Sequence, residues 1–315
     1  MIGTRTPFRF SFVGGGTDLP AFYRERPGKV ISTSINKYMY IFLHPHFENK
    51  FLIKYSTTEF VERADQIHHP IVRTALENFD LGGLDINSIA DIPSGTGLGS
   101  SSAFTVGLLH ALHAQAGQFV SKERLAAEAS HIEIVKLKEP IGKQDQYASA
   151  YGGINRITFL PNESVNVEPI PLTPAGLKTF RDHLAVFYTG TTRDARDVLA
   201  DQSKNVAAPG AKRSYLGDMA DMVDPFVDQL VKNDMIECGR ILEQGWQMKR
   251  RLSGLIATGK IDAYHDLAGA GGGGFLLFIA PPDTHGRLKA ALSDLKPIDF
   301  DFDFFGSKIV YVGEP

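Results

Sequence analysis

Several features are scarce in this sequence, and each scarcity excludes a class of protein. Cys238 is the only cysteine in 315 residues, so intrachain disulfides and multi-cysteine metal sites are excluded, and we expect an inert thiol. There is no basic excess: the net charge of -3 argues against a nucleic-acid partner. The longest apolar run, Phe275 to Pro282, is too short to cross a bilayer. The first residues lack the pattern of a signal peptide, so we expect a cytoplasmic protein with no membrane partner.

The length and the order of the predicted elements bound the fold. A chain of 315 residues can bury a full core and typically forms two domains. Strand and helix patterns occur in mixed order and do not alternate as βα units, which favours an α+β class. The turn-rich stretch from Pro169 to Pro174 marks the best boundary region. We therefore predict an N-terminal domain over residues 1–180 and a C-terminal domain over residues 181–315.

A glycine- and serine-rich segment is the most informative motif. It lies between a predicted strand, Leu84 to Ile92, and a predicted apolar helix, Ala103 to His113. Small residues let polyphosphate approach the backbone N–H groups, with the positive end of the helix dipole behind them. The spacing fits neither a Walker loop nor a Rossmann fingerprint. The residues predicted to bind the nucleotide are Pro93, Gly95, Gly97, Leu98, Gly99, Ser100, Ser101 and Ser102.

A second motif lies near the start of the chain. A predicted strand, Phe8 to Val13, carries Arg9 and runs into three glycines followed by Thr17 and Asp18. The pattern places one carboxylate at the exit of a flexible turn. Taken alone, it fits a substrate site and a tight turn capped by Asp18 equally well.

Two acidic residues in the middle of the chain form a third candidate. Glu133 falls on a helix predicted from Lys122 to Lys138, where a solvated face is the common alternative for any single acid. The segment Gly142 to Gln146 breaks that helix and starts another. Asp145 is therefore predicted close to a helix N-terminus, which stabilises a carboxylate.

The last motif is a run of glycines from Gly269 to Gly274, directly before an apolar strand that starts at Phe275. Consecutive glycines allow close approach of backbone to backbone or to a ligand, and a simple hinge is the alternative.

Together, in this order, these motifs resemble the three signatures of the GHMP small-molecule kinases, the family of galactokinase, homoserine kinase, mevalonate kinase and phosphomevalonate kinase. The resemblance spans Thr6 to Phe278. It implies an α+β, two-domain GHMP kinase fold: an N-terminal mixed sheet with helices and a C-terminal ferredoxin-like α/β sandwich. It implies ATP and Mg²⁺ as cofactors.

The resemblance also implies roles for individual residues. Asp145 would receive or orient the proton of the attacking hydroxyl, and Arg9 would keep that carboxylate ionised. Glu133 and Ser100 would be the magnesium ligands. The predicted substrate-binding residues are Asp18, Thr17, Gly15, Gly16, Arg193 and Gly272.

Galactokinases carry Glu-His where this chain has Gly15 and Gly16, and that Glu contacts the outer end of the hexose. The change favours a sugar that is larger at that end. Within the family the motifs look most like the D-glycero-D-manno-heptose 7-phosphate kinases, which phosphorylate an anomeric hydroxyl. Arg193, in the first turn of a predicted helix, is predicted to hold the substrate's own phosphate. Asp266 stands where close relatives often have Lys, so any role of that lysine is lost.

Three alternatives stay open at this stage. The chain could be another GHMP sugar-1-kinase, either fucokinase- or galactokinase-like. An isoprenoid-pathway kinase is disfavoured by the Thr17–Asp18 pair. A catalytically silent kinase-derived regulator is disfavoured by the intact Asp145, Glu133, Ser100 and Arg9. The expected partner is a small sugar phosphate, and the sequence leaves a homodimer open.

Overall fold

Two β-sheets organise the part of the chain that the computed structural model describes, residues 1–190, 211–252, 271–272 and 274–313. The larger sheet has eight strands and the smaller has four. The strands are β1 (Ile2–Ser11), β2 (Gly28–Pro45), β3 (Phe51–Lys54), β4 (Thr58–Val61), β5 (Leu84–Ala90), β6 (Ile154–Phe159), β7 (Val165–Pro169), β8 (Leu184–Tyr188), β9 (Gly271–Gly272), β10 (Phe275–Ile279), β11 (Lys296–Pro297) and β12 (Lys308–Val312).

Helices connect and cover these strands. The α-helices are α1 (Pro20–Tyr23), α2 (Pro70–Leu76), α3 (Ser100–Gln115), α4 (Lys122–Ser130), α5 (Gln144–Tyr151), α6 (Pro174–His183), α7 (Ala211–Asp221), α8 (Val223–Val231), α9 (Met235–Leu252) and α10 (His285–Ala291). Short 3₁₀ turns occur at Ala64–Gln66 and Pro282–Thr284, and a π-helix follows α4 at His131–Lys136.

The long strand β2 is the centre of the larger sheet. It pairs with β1 on one side, and on the other side with β6 along its first part and with β5 along its second part. The sheet order is β12-β1-β2-β5-β3-β4, with β7 beyond β6. All of these pairs are antiparallel except β3–β5. The β1–β2 register shifts between Pro7 and Phe8, where a proline that cannot donate to the ladder interrupts the strand.

Helix α3 packs against β1 and thereby positions the segment that precedes it. A side chain at Gly107 would meet Thr6 Oγ1 at 2.8 Å, so only glycine allows this close approach. The hydroxyl of Thr4 donates to the carbonyl of Gly107 at 2.9 Å. The N-terminus of α3 is therefore held close to the strand that carries Arg9.

The smaller sheet has the order β11-β8-β10-β9. Its two central strands, β8 and β10, consist almost entirely of apolar residues, and almost all of their side chains are buried. One cluster of buried apolar side chains contains residues of both sheets. Within it, the ring centroid of Phe12 lies 5.2 Å from that of Phe180 and 5.9 Å from that of Phe226. The mixed topology confirms the predicted α+β class.

The end of the described chain returns to the larger sheet. β12 pairs antiparallel with β1, so this strand joins the sheet of the N-terminal half although it follows β11 of the smaller sheet. The division at residues 180 and 181 stays a prediction.

Two predicted helices differ from the structure. The helix expected from Lys122 to Lys138 is α4 followed by a π-helical turn, which carries Glu133. The sequence pattern from Tyr215 to Val231 predicts one helix, but the structure divides it into α7 and α8, with Pro225 in the first turn of α8. The helix predicted over 195–203 lies outside the described residues.

Cys238 is fully buried on α9, and burial raises the pKa of its thiol to about 12. This agrees with the inert thiol expected from the sequence. No helix within the described ranges is long and apolar enough to cross a membrane.

Candidate active site

The glycine- and serine-rich loop connects β5 to the N-terminus of α3, as the sequence predicts. Gly95, Gly97 and Gly99 all have positive φ angles, 74°, 82° and 75°, which other residues rarely adopt. Leu98 is 4% exposed and anchors the loop in the core between two of these glycines. The first N–H groups of α3 have no acceptor within the helix, so they are available to an anion.

Arg9 connects this loop to Asp145. Its Nε and Nη2 both contact Oδ1 of Asp145, at distances of 2.7 and 2.6 Å. Its Nη1 donates to the carbonyl of Gly97 at 2.7 Å, and its backbone N–H donates to Leu98 at 3.3 Å. One guanidinium therefore fixes both the loop and the carboxylate. Arg9 is a positioning residue for Asp145.

Asp145 lies in the first turn of α5, where the helix dipole favours a negative charge. Since Arg9 occupies Oδ1, the second oxygen remains for another partner. A side-chain carbon built on Gly99 would lie 3.2 Å from Oδ2 of Asp145. The Asp145 carboxylate therefore lies against Gly99, directly before the first N–H groups of α3.

Asp18 is 2% exposed and is held by the segment that precedes Asp145. Its Oδ2 accepts from the backbone N–H of Gln144 at 3.1 Å. Its Oδ1 accepts from the Gln144 side chain at 3.2 Å and from the Gly16 N–H at 3.0 Å. Burial raises the pKa of Asp18, the negative charge of Asp145 adds to the rise, and the backbone hydrogen bonds oppose it.

Gln144 was not among the residues selected from the sequence. Its Nε2 is bound to Asp18, while its Oε1 is buried and has no hydrogen-bond partner within the described ranges. A buried acceptor without a partner is costly, so this oxygen is available to a ligand hydroxyl. The sequence signal was its place directly before Asp145, which is not specific enough to assign a contact.

The turn before Asp18 is held by Thr17. The Thr17 side chain is fully buried, and its hydroxyl lies 2.8 Å from the carbonyls of Gly14 and Lys29 and 3.0 Å from the N–H of Lys29. The hydroxyl is thus occupied by the backbone. We place Thr17 as a positioning residue for Asp18 instead of a direct substrate contact. Gly16, with φ of 99°, contributes its N–H to Asp18.

Glu133 is fully buried behind the loop. Its Oε1 accepts from Ser101 at 2.7 Å and its Oε2 from Gln146 at 2.6 Å. Burial raises its pKa, hydrogen bonds from Ser101, Gln146 and Ser102 oppose the rise, and the charge of Asp145 adds to it. The π-helical turn that carries Glu133 belongs to a rare class often found at functional sites.

The surroundings of Glu133 fit a divalent cation. Its hydrogen-bond donors are all neutral, and among the described residues no Lys, Arg or His pairs with it, so its charge lacks compensation. Ser100, the second predicted ligand, is the first residue of α3, next to Ser101. Two protein oxygens, completed by phosphate and water, suit Mg²⁺. Both assignments stay predictions.

Two further residues predicted to bind the substrate are Gly272 and Arg193. Gly272 lies in the edge strand β9, paired with Phe275, and its place beside the substrate stays a prediction. Arg193 lies outside the described residues, as does Asp266.

Comparison with known proteins identifies a family domain within this chain. Residues 64–153 match the family described as the GHMP kinases N terminal domain, and this range contains the loop, Glu133 and Asp145. The D-glycero-alpha-D-manno-heptose 7-phosphate kinase of Campylobacter jejuni subsp. jejuni serotype O:2 is 25% identical over an alignment that covers 96% of this chain and 96% of that protein. Residues 64–153 therefore carry a GHMP kinase N-terminal domain, and the chain is similar to a GHMP kinase along almost its whole length.

Solved structures show the same fold. This chain is similar to a D-glycero-D-manno-heptose 1-phosphate kinase from Bacteriodes thetaiotaomicron, with a TM-score of 0.82, 21% identity and 100% coverage of both chains. It is also similar to the galactokinase of Lactococcus lactis complexed with galactose, with a TM-score of 0.73, 14% identity and coverage of 99% and 95%. The predicted GHMP kinase fold is confirmed.

Fucose-linked enzymes are also related. The bifunctional fucokinase/GDP-fucose pyrophosphorylase of Arabidopsis thaliana is 26% identical over 87% of this chain, which spans 29% of that longer protein. The chain is an enzyme, an ATP-dependent phosphotransferase of the sugar-kinase type, as its GHMP kinase relatives are.

Proposed function

We propose that this GHMP kinase transfers the γ-phosphoryl group of ATP to the anomeric hydroxyl of D-glycero-D-manno-heptose 7-phosphate. The product would be the 1,7-bisphosphate, a precursor for nucleotide-heptose and polysaccharide synthesis. The similarity to a heptose 7-phosphate kinase along almost the whole of both chains supports this substrate class. Because ATP is the donor, we place the reaction in the cytoplasm.

The observation that carries the proposal is the position of the Asp145 carboxylate. Oδ1 is held by Arg9, whereas Oδ2 has no hydrogen-bond partner among the described residues and lies beside Gly99, directly before α3. A hydroxyl bound at Oδ2 would be adjacent to the N–H groups that receive phosphate. In kinases most catalysis comes from positioning and charge stabilisation, and a general base must lie within hydrogen-bond reach of the proton it takes.

The acceptor's other hydroxyls would be oriented by Asp18 and Gln144. The two side chains are locked together, with Gln144 donating to Asp18 and leaving its own Oε1 open. Two of the three hydrogen bonds to Asp18 come from Gln144, in the segment that continues into Asp145. Gln144 therefore couples Asp18 to the base, which fixes where the bound hydroxyls would lie relative to the reacting one.

Mg²⁺, held by Glu133 and Ser100, would supply the positive charge that neutralises the transferring phosphates. The loop from Pro93 to Ser102 would hold the phosphates through backbone N–H groups. Arg9 would keep its contacts with Asp145 and Gly97 and so hold the carboxylate and the loop in fixed relative positions.

A fucokinase- or galactokinase-like sugar-1-kinase is the second candidate, favoured by the fucose-linked relative. It requires the same Asp145, so only the acceptor distinguishes the two. A silent regulator is disfavoured because Arg9 and Asp145 are assembled as a base requires.

ADP release with heptose 7-phosphate, heptose, mannose, fucose, galactose and mevalonate tests the proposal. We expect the highest kcat/KM with heptose 7-phosphate and, by NMR of the product, a phosphate on the anomeric oxygen. The variant Asp145→Asn should abolish the signal, and Glu123→Gln, an exposed acid on α4, should not. Preference for fucose or galactose would favour the second candidate, and nucleotide binding without any turnover would identify a regulator.

A further inference from the structure

A lysine from the C-terminal half reaches the glycine turn that precedes Asp18. Lys249 lies near the end of α9. A side-chain carbon built on Gly15 would be 3.2 Å from Nζ of Lys249 and 3.6 Å from Oγ of Ser11. An ammonium and a hydroxyl, from distant parts of the chain, therefore border the same small space. Glycine at position 15 keeps that space open.

Among the described residues, the Ser11 hydroxyl has no hydrogen-bond partner and the Lys249 ammonium pairs with no carboxylate. The Oγ of Ser11 is buried and has no hydrogen-bond partner within the described ranges. Lys249 is partly buried and pairs with no carboxylate there, unlike Lys29, which contacts Asp224 at 2.6 Å, and Lys143, which contacts Glu163 at 2.6 Å. A partly buried cation beside an unpaired hydroxyl is the arrangement that an anion completes.

The charges around Lys249 indicate which part of the site it serves. Burial lowers the pKa of its ammonium, the positive charge of Arg9 lowers it further, and Asp18 opposes both. Lys249 thus lies beside the residues assigned to acceptor binding. Arg9 itself contacts the carbonyl of Gly97, in the loop that is predicted to bind the nucleotide.

We propose that Lys249 and Ser11 form, next to Gly15, a binding site for an anionic group on the acceptor, of the phosphate-ester class. This rests on the proposed sugar kinase function and deepens it, because the site selects acceptors that already carry a phosphate. Ser11 donates its hydroxyl hydrogen and Lys249 its N–H groups to the phosphate oxygens. The glycine at position 15 gives the phosphate room.

The test compares phosphorylated and unphosphorylated acceptors in Lys249→Met, Ser11→Ala and wild type. We expect Lys249→Met to raise KM for heptose 7-phosphate by about tenfold or more, the loss typical of a charged hydrogen bond. KM for unphosphorylated heptose and for ATP should stay within about twofold. Ser11→Ala should show the same selectivity with a smaller loss, and Lys249→Arg should recover part of the affinity.

Gly15→Glu provides an independent variant, since its carboxylate would pair with Lys249 and fill the space. It should also lose affinity selectively for the phosphorylated acceptor. Lys289→Met, an exposed lysine on α10, is the matched control and should change nothing. Inorganic phosphate should inhibit wild type competitively against the acceptor at saturating ATP, and this inhibition should weaken in Lys249→Met.

Equal losses with both acceptors would overturn the proposal and assign Lys249 to the transferred phosphoryl group. Unchanged KM values would overturn it as well. Arg193→Ala is measured in parallel, because a selective loss there with none in Lys249→Met would return the phosphate to Arg193. A different result would contradict only the proposed heptose substrate. If wild type prefers another phosphorylated sugar and Lys249→Met loses that preference, the anion site is supported and heptose 7-phosphate is excluded as the preferred acceptor.

Discussion

Asp18 and Gly142 lie so close together that no side chain fits between them. A carbon built on Gly142 would fall far inside van der Waals contact with Oδ2 of Asp18 and 2.8 Å from its backbone carbonyl. The glycine that ends the segment before α5 is thus what allows Asp18 to accept from the N–H of Gln144. The carboxylate that we propose to bind the sugar therefore depends on Gly142 for its position.

The variant Gly142→Ala tests this dependence. The added methyl group must displace Asp18, so we expect KM for the acceptor to rise by about tenfold or more and stability to fall by about 1–3 kcal/mol, the usual cost of overpacking. KM for ATP should change little. Gly286→Ala is the control: it lies in α10 with nothing within 4 Å of the new carbon, and should be neutral or slightly stabilising. An unchanged acceptor KM in Gly142→Ala would remove Asp18 from the acceptor site.

The variant Asp145→Asn tests the proton acceptor. The amide cannot take the hydroxyl proton, whereas the loop contacts of Arg9 with Gly97 and Leu98 do not involve Asp145. We expect nucleotide affinity close to wild type and kcat lowered by about a hundredfold or more. Nucleotide affinity is measured by calorimetry and kcat by ADP release. A variant that kept more than about a tenth of wild-type kcat would exclude a general-base role for Asp145.

Most of this cluster could be predicted from local sequence. The positive φ angles of Gly95, Gly97 and Gly99 follow from glycine between a strand and an apolar helix. The first-turn position of Asp145 follows from the helix break before it. These features depend on residues that are neighbours in the chain, and local pattern suffices for them.

The other features of the site depend on contacts between segments that are distant in sequence. Local sequence patterns do not predict such contacts. Lys249 is one of several basic residues at the end of an amphipathic helix, and only the packing of α9 brings it to Gly15. The Thr17 hydroxyl forms hydrogen bonds with the backbone of Lys29, which lies in β2, so these bonds depend on where β2 is placed in the sheet. The π-helical turn at Glu133 has no composition signal, because it results from packing and not from propensity.

The buried charge of Glu133 predicts a conflict between function and stability. A carboxyl whose pKa is raised on folding contributes most stability at low pH, and that contribution is lost as pH rises from the unfolded value, near 4.5, toward the folded one. Glu133→Gln removes the charge, and the unpaired Oε1 of Gln146 can accept from the new amide after rotation. We therefore expect the variant to have the higher Tm at pH 7 without metal, with a difference that shrinks near pH 4.

Thermal unfolding in a chelating buffer across this pH range gives the comparison. In the presence of nucleotide, Mg²⁺ should stabilise wild type much more than Glu133→Gln. The Mg²⁺ titration of activity should move to higher concentration in Glu133→Gln and in Ser100→Ala. Titration curves unchanged in both variants would remove these residues from the metal site.

The ion-pair cluster at Glu163 predicts the opposite pH dependence. Partial burial alone would raise the pKa of Glu163, but hydrogen bonds from Lys143, Tyr23 and Arg24 lower it to about 2. A carboxyl with a lowered folded pKa contributes stability above its unfolded value, near 4.5, and loses it as pH falls toward 2. Because Glu163 is 46% exposed, solvent screening limits the effect to about 1 kcal/mol or less.

Glu163→Gln should therefore lower Tm slightly at pH 7 and lose this difference as pH approaches 2. It also removes the partner that holds Lys143 at 2.6 Å, directly before the Gln144 that binds Asp18. For this reason KM for the acceptor should rise while kcat changes little. Glu62→Gln, an exposed acid distant in sequence from this cluster, serves as the control. A Tm difference that stays constant from pH 7 to pH 2 would show that the cluster does not stabilise the fold through the charge of Glu163.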